Sequence, residues 1–80
     1  MHLKKLDISK NSLKEFEGCP NQLQILNLSF NKLESIVCSE SLIRLEIQNN
    51  NFLKVPLGVL TLYKLEYLNI EMNPIKKLDA

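Results

Sequence analysis

The side chains best suited to chemistry in this sequence are two thiols, Cys19 and Cys38, one imidazole, His2, and a scatter of carboxylates. The thiols stand 19 residues apart. Two cysteines fall short of a zinc site, which normally needs four ligands. A disulfide between them requires Cα atoms within about 7 Å; otherwise they serve as separate thiols filling small spaces. His2 stands beside the terminus, and no recognisable motif holds a carboxylate or nucleophile next to it, so it reads as a solvated residue. Glu15, Glu17, Glu34, Glu40, Glu46, Glu66 and Glu71 offer pairs for acid and base work, yet their spacing puts most of them at outward positions. Gly18 and Gly58 cannot build a phosphate-cradling loop. Asn27-Leu28-Ser29 matches a glycosylation sequon, a pattern short enough to arise by chance. No catalytic, cofactor-binding or metal-ligating set emerges, and the chain reads as a non-enzyme without a cofactor.

The elements carrying these groups recur. Leu3, Leu23, Leu42 and Leu65 each open a segment of the same layout, at steps of 20, 19 and 23 residues. Counting from each first Leu, the fourth position holds Leu6, Leu26, Leu45 and Leu68, and the sixth Ile8, Leu28, Ile47 and Ile70. The ninth is Asn throughout: Asn11, Asn31, Asn50 and Asn73. The eleventh holds Leu13, Leu33, Phe52 and Ile75, and the fourteenth Phe16, Ile36, Val55 and Leu78. Agreement at six positions in four copies exceeds what leucine abundance produces, and a period of about 20–29 residues points to a solenoid. Cys19 and Cys38, about one period apart, then belong to adjacent rungs.

The pattern "LxxLxLxxNxL", as in "LQILNLSFNKL" at residues 23–33, resembles the leucine-rich repeat family, over residues 3–78. The alternation around Leu6 and Ile8 and their equivalents predicts short strands with one inward face, stacked into a parallel sheet. The expected fold is an α/β leucine-rich repeat solenoid, a right-handed horseshoe with strands on its concave face and irregular or short helical return arms. The resemblance places the Asn inward as a ladder, its amide satisfying peptide groups in the turns of adjacent rungs.

Between the fourteenth position and the next leading Leu, the first two arms read only "EGCPNQ" and "VCSES", too short for a multi-turn helix. The third, "PLGVLTLYK", is longer. Pro56 suits a first helical residue, and Val59 and Leu62, three apart, suit a one- or two-turn helix weakened by Gly58. This arm resembles the "LPxxLxxLxxL" type common in intracellular leucine-rich repeat signalling proteins, with Val55 in place of the first Leu.

Eighty residues make one small domain, burying roughly 60–65% of its unfolded surface. Ten basic and nine acidic residues leave a formal charge of +1, which gives no reason to expect nucleic acid or an acidic membrane. Apolar runs such as Leu57–Leu62 are too short to cross a bilayer, and "MHLKKLDISK" lacks the apolar core of a signal peptide. Two cysteines without a secretion signal fit a reducing compartment, and the expected location is the cytoplasm. Without polar caps, the single domain 1–80 reads as a fragment of a longer solenoid, or as a subunit whose open ends pack on further repeats or another chain.

Outward strand positions are free of packing and form the expected partner-binding face. The third position gives Lys5, Ile25, Arg44 and Tyr67; the fifth Asp7, Asn27, Glu46 and Asn69. The seventh adds Gln48 and Glu71, with Ser9 and Ser29, and the eighth adds Phe30 and Met72, with Lys10 and Asn49. Arg44 and Tyr67 are of types enriched at interface hot spots. The resemblance implies a non-catalytic protein-binding module, a scaffold or regulatory surface whose partner is another protein. The alternatives are a recognition segment of a larger signalling enzyme and a structural subunit of a large assembly.

Overall fold

The computed structural model describes residues 3–76; His2 and Leu78 lie outside the described residues. Four three-residue strands, β1 (Lys5–Asp7), β3 (Ile25–Asn27), β5 (Arg44–Glu46) and β6 (Tyr67–Asn69), form a parallel sheet in the order β1-β3-β5-β6. Its register is the register of the repeat: Leu6 faces Leu26, Leu26 faces Leu45, and Leu45 faces Leu68. The steps of 20, 19 and 23 residues therefore all return the chain to the same height.

Each strand is short because only its central Leu and the Ile or Leu two residues on need to face inward. These side chains meet those of the eleventh and fourteenth positions in one core. Leu23, Leu26, Leu28, Leu33, Leu42, Leu45, Ile47 and Phe52 are wholly buried there. Leu6, Ile8, Leu13 and Phe16 pack against it from the first rung, and Leu65, Ile70 and Ile75 from the fourth.

The return side is more ordered than expected from the short arms. β2 (Glu15–Phe16) and β4 (Ser35–Ile36) pair in parallel, a second small sheet on the far side of the core. The Val37 amide extends this ladder by donating to the Phe16 carbonyl at 3.1 Å. One rung on, the position of Val37 is taken by Pro56, which has no amide hydrogen, and the second sheet ends. The chain there forms a single helical turn, α1 (Leu57–Leu60). Pro56 is not its first helical residue but precedes it as the N-cap, with an extended ψ of 137°. Val59 and Leu62 are buried, as their spacing predicts, while Leu57 and Leu60 point away from the core. Among the described residues no helix is long and apolar enough to cross a membrane.

Candidate functional site: the outward face of the main sheet

The groups that hold this face in place lie at its lower edge. At every eighth position the backbone is left-handed, with φ of 61° at Lys10, 57° at Phe30, 56° at Asn49 and 57° at Met72. L-residues other than Asn and Asp resist that conformation, so something must enforce it. The following Asn does so. Asn31 donates its amide to the carbonyls of Leu28 and Ser29, closing the turn around Phe30, and to Ile8 of the preceding rung. Its carbonyl oxygen accepts from the amides of Asn11 and Leu13. Asn50 and Asn73 repeat the arrangement: Asn50 bonds Leu28, Ile47 and Gln48, and Asn73 bonds Ile47, Ile70 and Glu71. The ladder implied by the resemblance is thus present: Asn31, Asn50 and Asn73 each serve their own turn and the rung before it, and Asn11 serves its own turn.

A second set of bonds fastens the strand ends. The Asp7 carboxylate accepts from the backbone amide and hydroxyl of Ser9 at 3.0 and 2.7 Å, and Asn27 accepts from Ser29 with the same two distances. Asn69 accepts from the Glu71 amide at 3.0 Å. The Ser9 hydroxyl, then its amide, hold the Asp7 carboxyl below the ordinary carboxylate value. These caps went unread in the sequence, although Asp or Asn followed two residues later by Ser is a known turn signature. The third rung departs from it: Glu46 stands at the fifth position and is reached instead by the Gln48 side-chain amide at 3.4 Å.

Above this scaffold the candidate binding residues divide into two groups. Arg44 and Tyr67, neighbours across β5 and β6, are brought together, with the guanidinium 3.9 Å from the ring centroid and 3.5 Å from the Glu46 carboxylate. Phe30 and Met72 project from the left-handed turns, 49% and 75% exposed. Ile25 is half-buried, Ser29 is buried, and Lys5 stays exposed at the β1 edge. The Gln48 carbonyl oxygen is buried without a hydrogen-bond partner among the described residues.

The thiols lie on the return side, away from this face. Both are free and packed against the core. Burial raises the Cys19 thiol, opposed by the Ser39 amide that bonds it, and pushes Cys38 up to about 12, aided by the proximity of Cys19. Both are therefore neutral thiols near pH 7, the opposite of an activated nucleophile. Among the described residues no three His, Cys, Asp or Glu side chains cluster as a metal site.

Residues 22–40 match the family model described as Leucine Rich Repeat. Neither the curated proteins nor the solved structures provide a match.

Proposed function

We propose that this leucine-rich repeat protein acts as a non-catalytic protein-binding module, a scaffold or regulatory surface working in the cytoplasm. Its four repeats then make one domain, and its main sheet is the concave face of a horseshoe-shaped solenoid. Leucine-rich repeats generally mediate protein–protein interaction. The supporting observation is the stacking of Arg44 on Tyr67 on the outward side of the main sheet, with Met72 exposed on the same rung as Tyr67. A guanidinium already oriented by a ring and a carboxylate loses less freedom on binding. Phe30, Ile25, Asp7, Asn27, Asn69 and Glu71 surround this centre as complementary contacts rather than anchors.

A photo-crosslinking residue placed at Met72, and separately at exposed Lys14 on the return side, tests this reading in cell extract. A specific protein adduct is expected from Met72 alone. Arg44→Ala with Tyr67→Ala should then weaken that partner's binding by at least tenfold, the usual scale for truncating hot-spot residues. Retained affinity overturns the reading.

A further inference from the structure

The two thiols stand in a relation that a binding face on the main sheet does not use. Cys19 lies four residues before Leu23 and Cys38 four before Leu42, so they hold the same place in successive repeats. Each directly precedes a turn of the same form. The Leu23 amide donates to the Pro20 carbonyl at 3.2 Å, and the Leu42 amide to the Ser39 carbonyl at 3.3 Å.

The two arms run side by side up to these turns. Phe16 lies opposite Ile36 in the β2–β4 ladder, and the Val37 amide reaches the Phe16 carbonyl. Counted onward from that ladder, Cys38 falls opposite Gly18 and diagonal to Cys19; counted back from the turns, it falls opposite Cys19 itself. Paired strands lie about 4.8 Å apart with a rise of about 3.3 Å per residue, so either count sets the two Cα atoms about 5–6 Å apart. A disulfide spans Cα separations of about 4.4–6.8 Å. Side-chain placement agrees with this, because both thiols pack against the one core and the amide that bonds the Cys19 sulfur belongs to Ser39, the residue after Cys38.

Both flanks of the pair are fastened. On one side is the β2–β4 ladder; on the other, the Ser39 hydroxyl donates to the Asn21 carbonyl at 2.8 Å and the Ser41 hydroxyl to the Leu23 carbonyl at 2.6 Å. Little backbone freedom remains to be lost on closure. The third arm has Thr61 at this place, so the relation belongs to the first two arms.

We propose that Cys19 and Cys38 are a modification site, closing into a reversible disulfide across the first two arms by exchange with a small-molecule disulfide such as oxidised glutathione. The Cys19 thiolate attacks one glutathione sulfur, the glutathione S–S bond breaks, and one glutathione leaves as its thiolate. The Cys38 thiolate then attacks the Cys19 sulfur and expels the second glutathione. Two protein thiols are oxidised, one glutathione disulfide is reduced to two thiols, and the two protein protons pass to solvent and the leaving thiolates. Cys19 reacts first because Cys38 lies deeper. Both thiols stay protonated near neutral pH, so the exchange is slow and registers a sustained oxidising state. Closure ties the first rung, whose Leu6, Ile8, Leu13 and Phe16 are only partly buried, to the fully packed second.

The full chain, held at pH 8 in glutathione buffers of graded oxidised-to-reduced ratio, tests this by intact mass and by non-reducing tryptic mapping. The expected product has lost two hydrogens, carries no glutathione, joins the peptide of residues 15–32 to that of 33–44 within one chain, and reverts with dithiothreitol. Its unfolding constant in urea should be about a hundredfold lower than that of the reduced chain, the scale for closing a loop of 20 residues. Cys38→Ala should retain glutathione on Cys19. The pair should also oxidise in a more reducing buffer when folded than in concentrated urea, because the fold supplies the proximity. Glutathione retained on both cysteines, disulfides formed only between chains, equal oxidation of the folded and unfolded chain, or a crosslinked chain less stable than the reduced one overturns the proposal.

Discussion

The second and third rungs share their central Leu and their ladder Asn with the first and fourth, yet in a different physical state. Leu26 and Leu45 are wholly buried, whereas Leu68, at the same position of its own strand, is 38% exposed and Leu6 is half-buried. Asn31 makes five side-chain hydrogen bonds, whereas Asn11 makes two, both within its own turn. Residue type and local conformation are shared, so the difference comes from having a rung on each side. Where repeats contact only their neighbours, stability is a sum over rungs and the interfaces between them, and the inner rungs own two interfaces.

Truncating the central leucines separates the rungs most strongly. Leu45→Ala should destabilise the chain by about 4 kcal/mol, the cost of a cavity among fully buried neighbours. Leu68→Ala, partly in water already, should cost about 1 kcal/mol. Urea unfolding followed by circular dichroism measures both. Equal losses would show that each rung stabilises itself and would end the nearest-neighbour account.

The ladder gives a smaller contrast of the same kind. Asn50→Ala strands the Leu33 amide and the carbonyls its side chain satisfies, at a cost of about 3 kcal/mol because the site is closed to water. Asn11→Ala should cost no more than about 1 kcal/mol, since water reaches the Ile8 and Ser9 carbonyls it serves. A large loss at Asn11 would mean that its turn closes only through the side chain.

Cys38 and Cys19 extend the comparison to the return side and to pH. The Cys38 thiol, the more deeply placed, ionises near 12 when folded against an ordinary value of 9.0. The unfolded chain therefore releases this proton first, and stability should fall as pH rises from about 9 toward 12. Below 9 both states keep the proton and the group contributes no slope. Cys38→Ala should remove most of the decline, and Cys19→Ala less of it. Alkylation by iodoacetamide at pH 8 should reach Cys19 before Cys38. The reverse order would place the deeper thiol in the first arm.

What could be read from the residues was what repeats. Leu6, Leu26, Leu45 and Leu68, at the same repeat position despite unequal steps, give the register of β1, β3, β5 and β6, because a one-residue slip would turn every inward Leu to water. The second sheet was missed: Glu15–Phe16 and Ser35–Ile36 are two residues each, too few to show an alternation. Their pairing follows from the rungs above being locked, not from local preference. Pro56 suits a helix start on sequence alone, but its larger effect is on the neighbour it fails to bond, which no single segment reveals. On the outward face, period two assigned the exposed positions, while the ties of Asp7 to Ser9 and Asn27 to Ser29 depend on a turn geometry that the leucine pattern leaves open.

The left-handed turns supply the smallest effect and the link back to function. All four eighth positions share one conformation, yet only Asn49 is a residue type that accepts it readily. Met72 pays a conformational cost there, and at 75% exposure its side chain recovers little by burial. Met72→Asn should therefore stabilise the chain by about 0.5 kcal/mol, a shift readable as a higher urea midpoint. If Met72 serves as a contact of the proposed binding face, the same substitution should lower affinity for the partner captured there, so that stability and binding move in opposite directions. Phe30→Asn sharpens the test, because Phe30 is less exposed and sits on an inner rung; the packing it gives up should cancel its conformational gain and leave stability nearly unchanged. A loss of stability in Met72→Asn would show instead that Met72 is held by packing, and would remove it from the binding face.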